Sequence, residues 1–188
     1  DDWARPTACP GWSVKDHYSH VIGTEMMLAG RDNPDVDVSG LTHVRNDIGR
    51  FNEQWVEYYR SRPAAEVLAD LRAILAERRA ALDAMDQAAF DVEGFTPAGP
   101  DSYGRFMRIR TMDCWFHEQD VREAVGRPGH LDGLAPQAAL AESVRAMGYV
   151  VGKKAGAPAG SSVRLQVTGP LAGRIDVEVG DRARGGEE

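Results

Sequence analysis

One segment of the sequence carries an acid and an imidazole that could bind a metal ion. Asp113 and His117 are four residues apart in a run with helical periodicity, so both side chains lie on one face. An acid and an imidazole on an inward face need a neutralising partner, because an unpaired buried charge is costly. A divalent metal ion takes such ligands. The residues that predict an inward face are Phe106, Ile109, Phe116, Val121 and Ala124.

A third ligand has to come from another helix. His17 and His20 are three residues apart in an earlier helical segment, and periodicity alone leaves both open. Asp120, one turn after His117, would either orient that histidine or pair with an arginine such as Arg110 or Arg122. The same spacing also occurs among hydrogen-bonded structural residues, so spacing alone leaves a metal site and a structural pair both open.

The remaining reactive side chains are interpreted as structural. Cys9 lies in a turn-like segment and Cys114 in a predicted helix, with no CxxC pattern, which favours reduced thiols with packing roles. His43 and His130 lie in loop-like positions and are predicted to be exposed. The tryptophans interpreted as core or lining residues are Trp12, Trp55 and Trp115.

The elements that position these residues are predicted to be mainly helical. Ser13 followed by Asp16 indicates a helix start with a capping box. Apolar spacing and the Gly and Pro positions then predict five helices. They span about residues 14–28, 43–60, 63–85, 102–125 and 136–153.

The end of the chain has a different pattern. A small-residue linker from about residue 156 is followed by two segments in which apolar and polar residues alternate, 163–167 and 175–179, as in β-strands. A lone hairpin is marginal in water. We therefore predict a helical domain over residues 1–155, and a linker with the first strands of a truncated C-terminal domain over residues 156–188.

Composition narrows the class of protein. The 188 residues are 43% hydrophobic and 27% charged, as in ordinary globular proteins, and the net charge of −7 argues against nucleic acid as a partner. No apolar run approaches the roughly 20 residues that span a bilayer, and no signal segment opens the chain. The sequence therefore predicts a cytoplasmic protein without a membrane partner, as a monomer or homodimer.

Several stretches resemble one known family. The opening turn Thr7–Val14 leading to His20, the segments His43–Asp47 and Asn52–Val56, and the run Arg110–Arg122 followed by Gly126–Gly129 are similar to signatures of the mycothiol-dependent maleylpyruvate isomerase family. This family belongs to the wider DinB-like superfamily of metal-binding bundles. The resemblance covers most of residues 1–150.

The resemblance implies a DinB-like four-helix bundle that holds a divalent metal, usually zinc. By position, the ligands it implies are His20, Asp113 and His117, which favours His20 over His17. The isomerase itself has glutamate where this chain has Asp113, and aspartate is one methylene shorter. The family also has a helix before the opening turn and a full α/β C-terminal domain, so we expect the first bundle helix to be missing from these residues.

The resemblance also implies a reaction. Three protein ligands leave a tetrahedral site open to mycothiol, and the metal-bound thiolate would perform isomerisation or S-transfer on a small electrophile. The residues expected to line this cofactor pocket are Trp12, Asn46 and Arg110. The alternatives are a hydrolase with activated water, a non-haem iron enzyme, and a non-catalytic metal- or thiol-binding stress-response protein.

Overall fold

The computed structural model describes residues 1–187, and its architecture is mainly α, which confirms the predicted class. The helices are α1 (Val14–Leu28), α2 (Asp47–Arg60), α3 (Ala64–Asp83), α4 (Gln87–Phe90), α5 (Tyr103–Ala124) and α6 (Leu134–Tyr149). A 3-10 turn (Asp2–Ala4) opens the chain, and a π-helical turn (Val150–Lys154) follows α6. Within residues 1–187, no helix combines the length and the apolar character needed to cross a membrane.

The strands form two small antiparallel sheets. A hairpin between α4 and α5 pairs β1 (Glu93–Gly94) with β2 (Asp101–Ser102), where the sequence predicts no strand. The second sheet has the order β3 (Ser162–Val167), β4 (Gly173–Val179) and β5 (Ala183–Glu187). The structure therefore confirms both predicted strands and adds a third.

The chain packs as two units. The first contains residues 1–89 and 117–128, and the second contains residues 90–116 together with the described residues from 129 onward. The core of the first unit lies among α1, α2 and α3 and consists of Ile22, Trp55, Tyr59, Val67 and Ile74. This core supports the helix that carries the two candidate histidines.

Helix α1 meets α2 closely at Gly23. A Cβ atom at this position would lie 2.4 Å from Cγ of Trp55, so only glycine allows the approach. On another side, the buried Glu25 carboxylate accepts a hydrogen bond from Nε of Arg78 in α3, at 3.2 Å. The position of α1 is thus fixed both by steric fit and by a buried ion pair.

Helix starts follow their capping residues. The Ser13 backbone N–H donates to Oδ2 of Asp16 at 2.8 Å, and the predicted capping box and the start of α1 are confirmed. Helix α2 begins at Asp47, later than predicted, because the side-chain oxygen of Asn46 accepts from the Gly49 N–H at 2.8 Å and caps the helix there. His43 lies in the turn before it.

In the second unit, α6 packs on the three-stranded sheet. Its core contains Val144, Val151, Ile175, Val177 and Val179. Gly148 permits close contact, since a Cβ atom there would lie 2.7 Å from the carbonyl oxygen of Ala183 in β5. Helix α6 therefore finds its apolar partners in the strands, while the domain boundary predicted after residue 155 stays a prediction.

Candidate metal centre

Three histidine side chains meet in the first unit. His17 and His20 project from α1, and His117 projects from α5. The ring centroid of His117 lies 4.8 Å from that of His17 and 4.9 Å from that of His20. His17 is 1% exposed and His20 is 6% exposed. His17 and His20, between which periodicity could not choose, therefore both lie next to His117 on α5.

A hydroxyl group orients His17. The Thr7 hydroxyl donates to the Trp12 carbonyl oxygen at 3.0 Å, so at its 2.8 Å contact with Nε2 of His17 it accepts. This assigns the ring hydrogen of His17 to Nε2. The lone pair of Nδ1 then faces Nδ1 of His117, 3.1 Å away. Because His17 accepts in this contact, Nδ1–H of His117 is the donor.

Asp120 and Cys9 complete a four-residue cluster with His17 and His117. Oδ2 of Asp120 lies 3.3 Å from Nδ1 of His117, which matches the orienting role predicted as one alternative for Asp120. The Cys9 thiol donates to the same oxygen at 3.5 Å. One potential ligand atom from each of Cys9, His17, His117 and Asp120 lies within 4.8 Å of all the others.

Electrostatics keep His17 neutral. Burial, followed by the neighbouring imidazole of His117, lowers the pKa of His17 from 6.5 to about 4, although the Asp120 carboxylate opposes the shift. A neutral imidazole is the form that binds a metal ion. The ring is thus in its coordinating state at physiological pH.

Asp113 lies on α5 four residues before His117, within the part of the helix that belongs to the second unit. Its carboxylate accepts a hydrogen bond from Arg110, whose side chain is buried. The structure thus places two residues predicted for the site, Asp113 and Arg110, in one ion pair. The roles of Asp113 as a metal ligand and of Arg110 in cofactor binding stay predictions.

Trp12 contacts all three histidine rings. Its ring centroid lies 5.3 Å from that of His17, 5.4 Å from that of His20 and 5.8 Å from that of His117. The indole Nε1–H donates to Oε1 of Glu53 at 2.8 Å, which fixes the orientation of the ring. Trp12 therefore lines the cluster of three histidine rings.

Sequence reasoning missed Glu53, Thr7 and Cys9 as neighbours of the site. Glu53 is 4% exposed. Its position beside the apolar stripe of α2 is the feature of the sequence that could have indicated a buried carboxylate. Thr7 and Cys9 lie in the opening turn, whose Pro and Gly residues signal a chain reversal next to α1. The structure shows this reversal as a bridge between Pro6 and Ser13.

The other predicted site residue, Asn46, is exposed and caps α2. Trp55 is buried in the first core, and Trp115 is buried in the second unit, where its indole donates to the His130 carbonyl oxygen. His43 and His130 are exposed, as predicted. The cofactor-binding role of Asn46 stays a prediction.

Comparison with known families gives a match over the first part of the chain. A family model described as the mycothiol maleylpyruvate isomerase N-terminal domain matches residues 1–122. The matched range contains all the histidine, cysteine and aspartate residues of the cluster. No curated protein and no solved structure matches the chain significantly.

Proposed function

The chain belongs to the mycothiol maleylpyruvate isomerase N-terminal domain family, and from this premise we propose that it is a divalent-metal-dependent, mycothiol-dependent enzyme. Its reaction is an isomerisation or an S-transfer on a small electrophilic substrate. The metal is zinc, and its ligands are His20, Asp113 and His117. The finer fold assignment, a DinB-like four-helix bundle, is part of the same proposal.

The observation that carries this proposal is the pairing of His20 with His117. The two rings come from different helices, their centroids lie 4.9 Å apart, and His20 is 6% exposed. Two imidazoles held together, one of them buried, suit zinc, which prefers nitrogen and oxygen or sulfur ligands in tetrahedral geometry. The donor set of this chain therefore fits the metal that the family implies.

Asp113 would supply the third ligand. It precedes His117 by one helical turn, so a single helix presents both groups. The ion pair with Arg110 restrains the Asp113 carboxylate, and a restrained carboxylate loses less conformational freedom on binding a metal. Arg110 is thus a positioning residue for Asp113, and in this proposal its guanidinium also binds anionic groups of the ligand.

Three protein ligands leave one tetrahedral position open. A bound divalent ion supplies the acidity that deprotonates a coordinating thiol near neutral pH. The surrounding side chains would shield the metal ligands from water and bind the thiol. Trp12, held by Glu53, forms an apolar wall against the three imidazoles and excludes water from them. Asn46 is the third proposed thiol-binding residue. Its side-chain oxygen caps α2, and its side-chain NH₂ group would donate to the thiol cofactor.

The test measures turnover in the presence of mycothiol, with maleylpyruvate and a generic thiol-reactive electrophile as substrates. We expect zinc-loaded protein to consume a substrate only when mycothiol is added, and His20→Ala to lose this turnover. His130→Asn is the matched control, because His130 is exposed and asparagine tolerates its backbone φ of 55°. Full turnover by His20→Ala, or turnover without thiol, would contradict the proposal.

A protein that binds zinc but consumes neither substrate in the presence of mycothiol would also contradict it. That result would favour the non-catalytic binding protein. Turnover that continues without any thiol would favour the hydrolase instead.

A further inference from the structure

Four potential metal ligands in the first unit lie within 4.8 Å of one another, namely Cys9, His17, His117 and Asp120. Successive donor atoms are separated by 3.1 Å from His17 Nδ1 to His117 Nδ1, and by 3.3 Å from His117 Nδ1 to Asp120 Oδ2. The next step, from Asp120 Oδ2 to Cys9 Sγ, is 3.5 Å. These are two imidazoles, a carboxylate and a thiol, all of them common zinc ligands.

Three of the six separations among these ligand atoms are close to those of a tetrahedral metal site, and all six are within 4.8 Å. Zinc binds nitrogen and oxygen at about 2.0–2.2 Å and sulfur at about 2.3 Å, so the corners of its tetrahedron lie roughly 3.3–3.6 Å apart. The three separations of 3.1, 3.3 and 3.5 Å are within a few tenths of an ångström of this range. Small rotations of the side chains would therefore suffice to bind an ion.

The surroundings of the cluster also resemble those of a metal site. A metal-bound histidine usually donates its second ring N–H to an oxygen atom, which fixes the ring. Nε2 of His17 makes this bond to Thr7 Oγ1 at 2.8 Å and leaves Nδ1 directed at the cluster. The Cys9 N–H donates to the same hydroxyl oxygen at 3.3 Å, so Thr7 positions two of the four ligands.

We propose that Cys9, His17, His117 and Asp120 form a metal-binding site of their own, selective for a thiophilic divalent ion such as zinc. This site needs neither His20 nor Asp113, so it does not rest on the proposed triad. Binding replaces the thiol proton of Cys9, which leaves to solvent, and moves the ring hydrogen of His117 from Nδ1 to Nε2.

Two consequences follow from the ligand count. Four protein ligands close the coordination sphere, as in structural zinc sites, so an ion held here has no position for a thiol or a substrate. The site and the triad both require His117, and a neutral imidazole offers one lone pair, so one chain holds one ion at a time. A chain whose ion is bound through Cys9 is therefore catalytically inactive, because no coordination position is open to a thiol or a substrate.

Cobalt(II) titration of the metal-free full chain tests the proposal, because a thiolate ligand gives cobalt a charge-transfer absorption band that nitrogen and oxygen ligands do not give. We expect this band in the unaltered protein or in His20→Ala, where the triad is disabled, and we expect its loss in Cys9→Ser. Cys114→Ser is the matched control and should retain the band. Absence of the band from both the unaltered protein and His20→Ala, or its persistence in Cys9→Ser, overturns the site.

A second measurement needs no cysteine variant. Alkylation of His20→Ala protein, followed by peptide mapping, compares the two thiols directly. We expect saturating zinc to slow alkylation of Cys9 severalfold and to leave Cys114 unchanged. Equal rates for Cys9 with and without zinc overturn the proposal. Loss of mycothiol-dependent turnover in His20→Ala with no cobalt–thiolate band would leave the triad standing and remove only this site.

Discussion

Nδ1 of His17 and Nδ1 of His117 face each other at 3.1 Å, one from α1 and the other from α5. In the metal-free protein this contact is a hydrogen bond, because the Thr7 hydroxyl fixes the hydrogen of His17 on Nε2. A second proton on His17, at Nδ1, would place two N–H groups against each other. The contact therefore favours the neutral state of His17, which a metal ion requires.

The first prediction concerns pH. The pKa of His17 is about 4 in the folded chain against 6.5 in the unfolded chain, because of burial and then His117. Between these values the unfolded chain binds a proton that the folded chain does not, so the stability of metal-free protein falls as pH drops from 6.5 towards 4. Below pH 4 both states are protonated, and this contribution stops changing.

Two measurements check this prediction. Imidazole resonances in NMR should show His17 titrating near pH 4, and the free energy of unfolding of His17→Gln should depend less on pH over the same interval. Titration of the folded-state His17 ring near 6.5 would show that it is not kept neutral.

The second prediction concerns Thr7. The isosteric change Thr7→Val removes the oxygen that accepts from His17 Nε2 and from the Cys9 N–H. Loss of such an outer partner typically costs about 10–100-fold in metal affinity. Competition with a chromogenic chelator should show this weakening for ions bound through Cys9. Ser161→Ala also removes a hydroxyl, whose exposed hydrogen bond goes to the Pro158 carbonyl oxygen in the second unit, and should bind as the unaltered chain does. Equal affinities for Thr7→Val and Ser161→Ala would refute the role of Thr7.

The third prediction concerns His117, which both proposed ligand sets share. We expect His117→Ala to retain far less than one metal ion per chain by elemental analysis, whereas His20→Ala and Cys9→Ser each disable one set. His130→Asn should retain the metal of the unaltered protein. Stoichiometric metal in His117→Ala would contradict both ligand sets at once.

The fourth prediction concerns stability at the α1–α2 contact. Gly23→Ala adds a Cβ atom 2.4 Å from Trp55 Cγ, and inserted atoms in a packed core typically cost about 1–3 kcal/mol. The higher helix propensity of alanine offsets up to about 1 kcal/mol. Denaturant unfolding should show net destabilisation. Gly40→Ala, where a Cβ atom meets nothing within 4 Å, should change stability by less than about 0.5 kcal/mol. A Gly23→Ala protein as stable as Gly40→Ala would mean that α1 and α2 separate at little cost.

The helices were predictable because their signals are local. Ser13 and Asp16, which are three residues apart, indicate the start of α1, and the structure shows both bonds of the capping box. Helix α2 was predicted too long at its start because His43 to Arg45 continue a plausible helical pattern. The Asn46 cap, which depends on backbone geometry, decides its start.

The third strand and most of the site depended on contacts between distant residues. Ala183–Glu187 contains two adjacent glycines and no alternation, so it becomes a strand only by pairing with β4. In the site, the spacing of His17 and His20 could not choose between them, and both in fact approach His117. Cys9 and Asp120 are 111 residues apart, and no local pattern brings them together.

The contacts of Trp12 have an optical consequence. An indole whose ring centre lies 5.3–5.8 Å from three imidazoles has its fluorescence quenched by a protonated ring or by a paramagnetic ion held among them. The emission of this residue therefore reports the charge and the occupancy of the histidine cluster from inside the protein. The chain thus carries an intrinsic spectroscopic probe at the centre of its own candidate site.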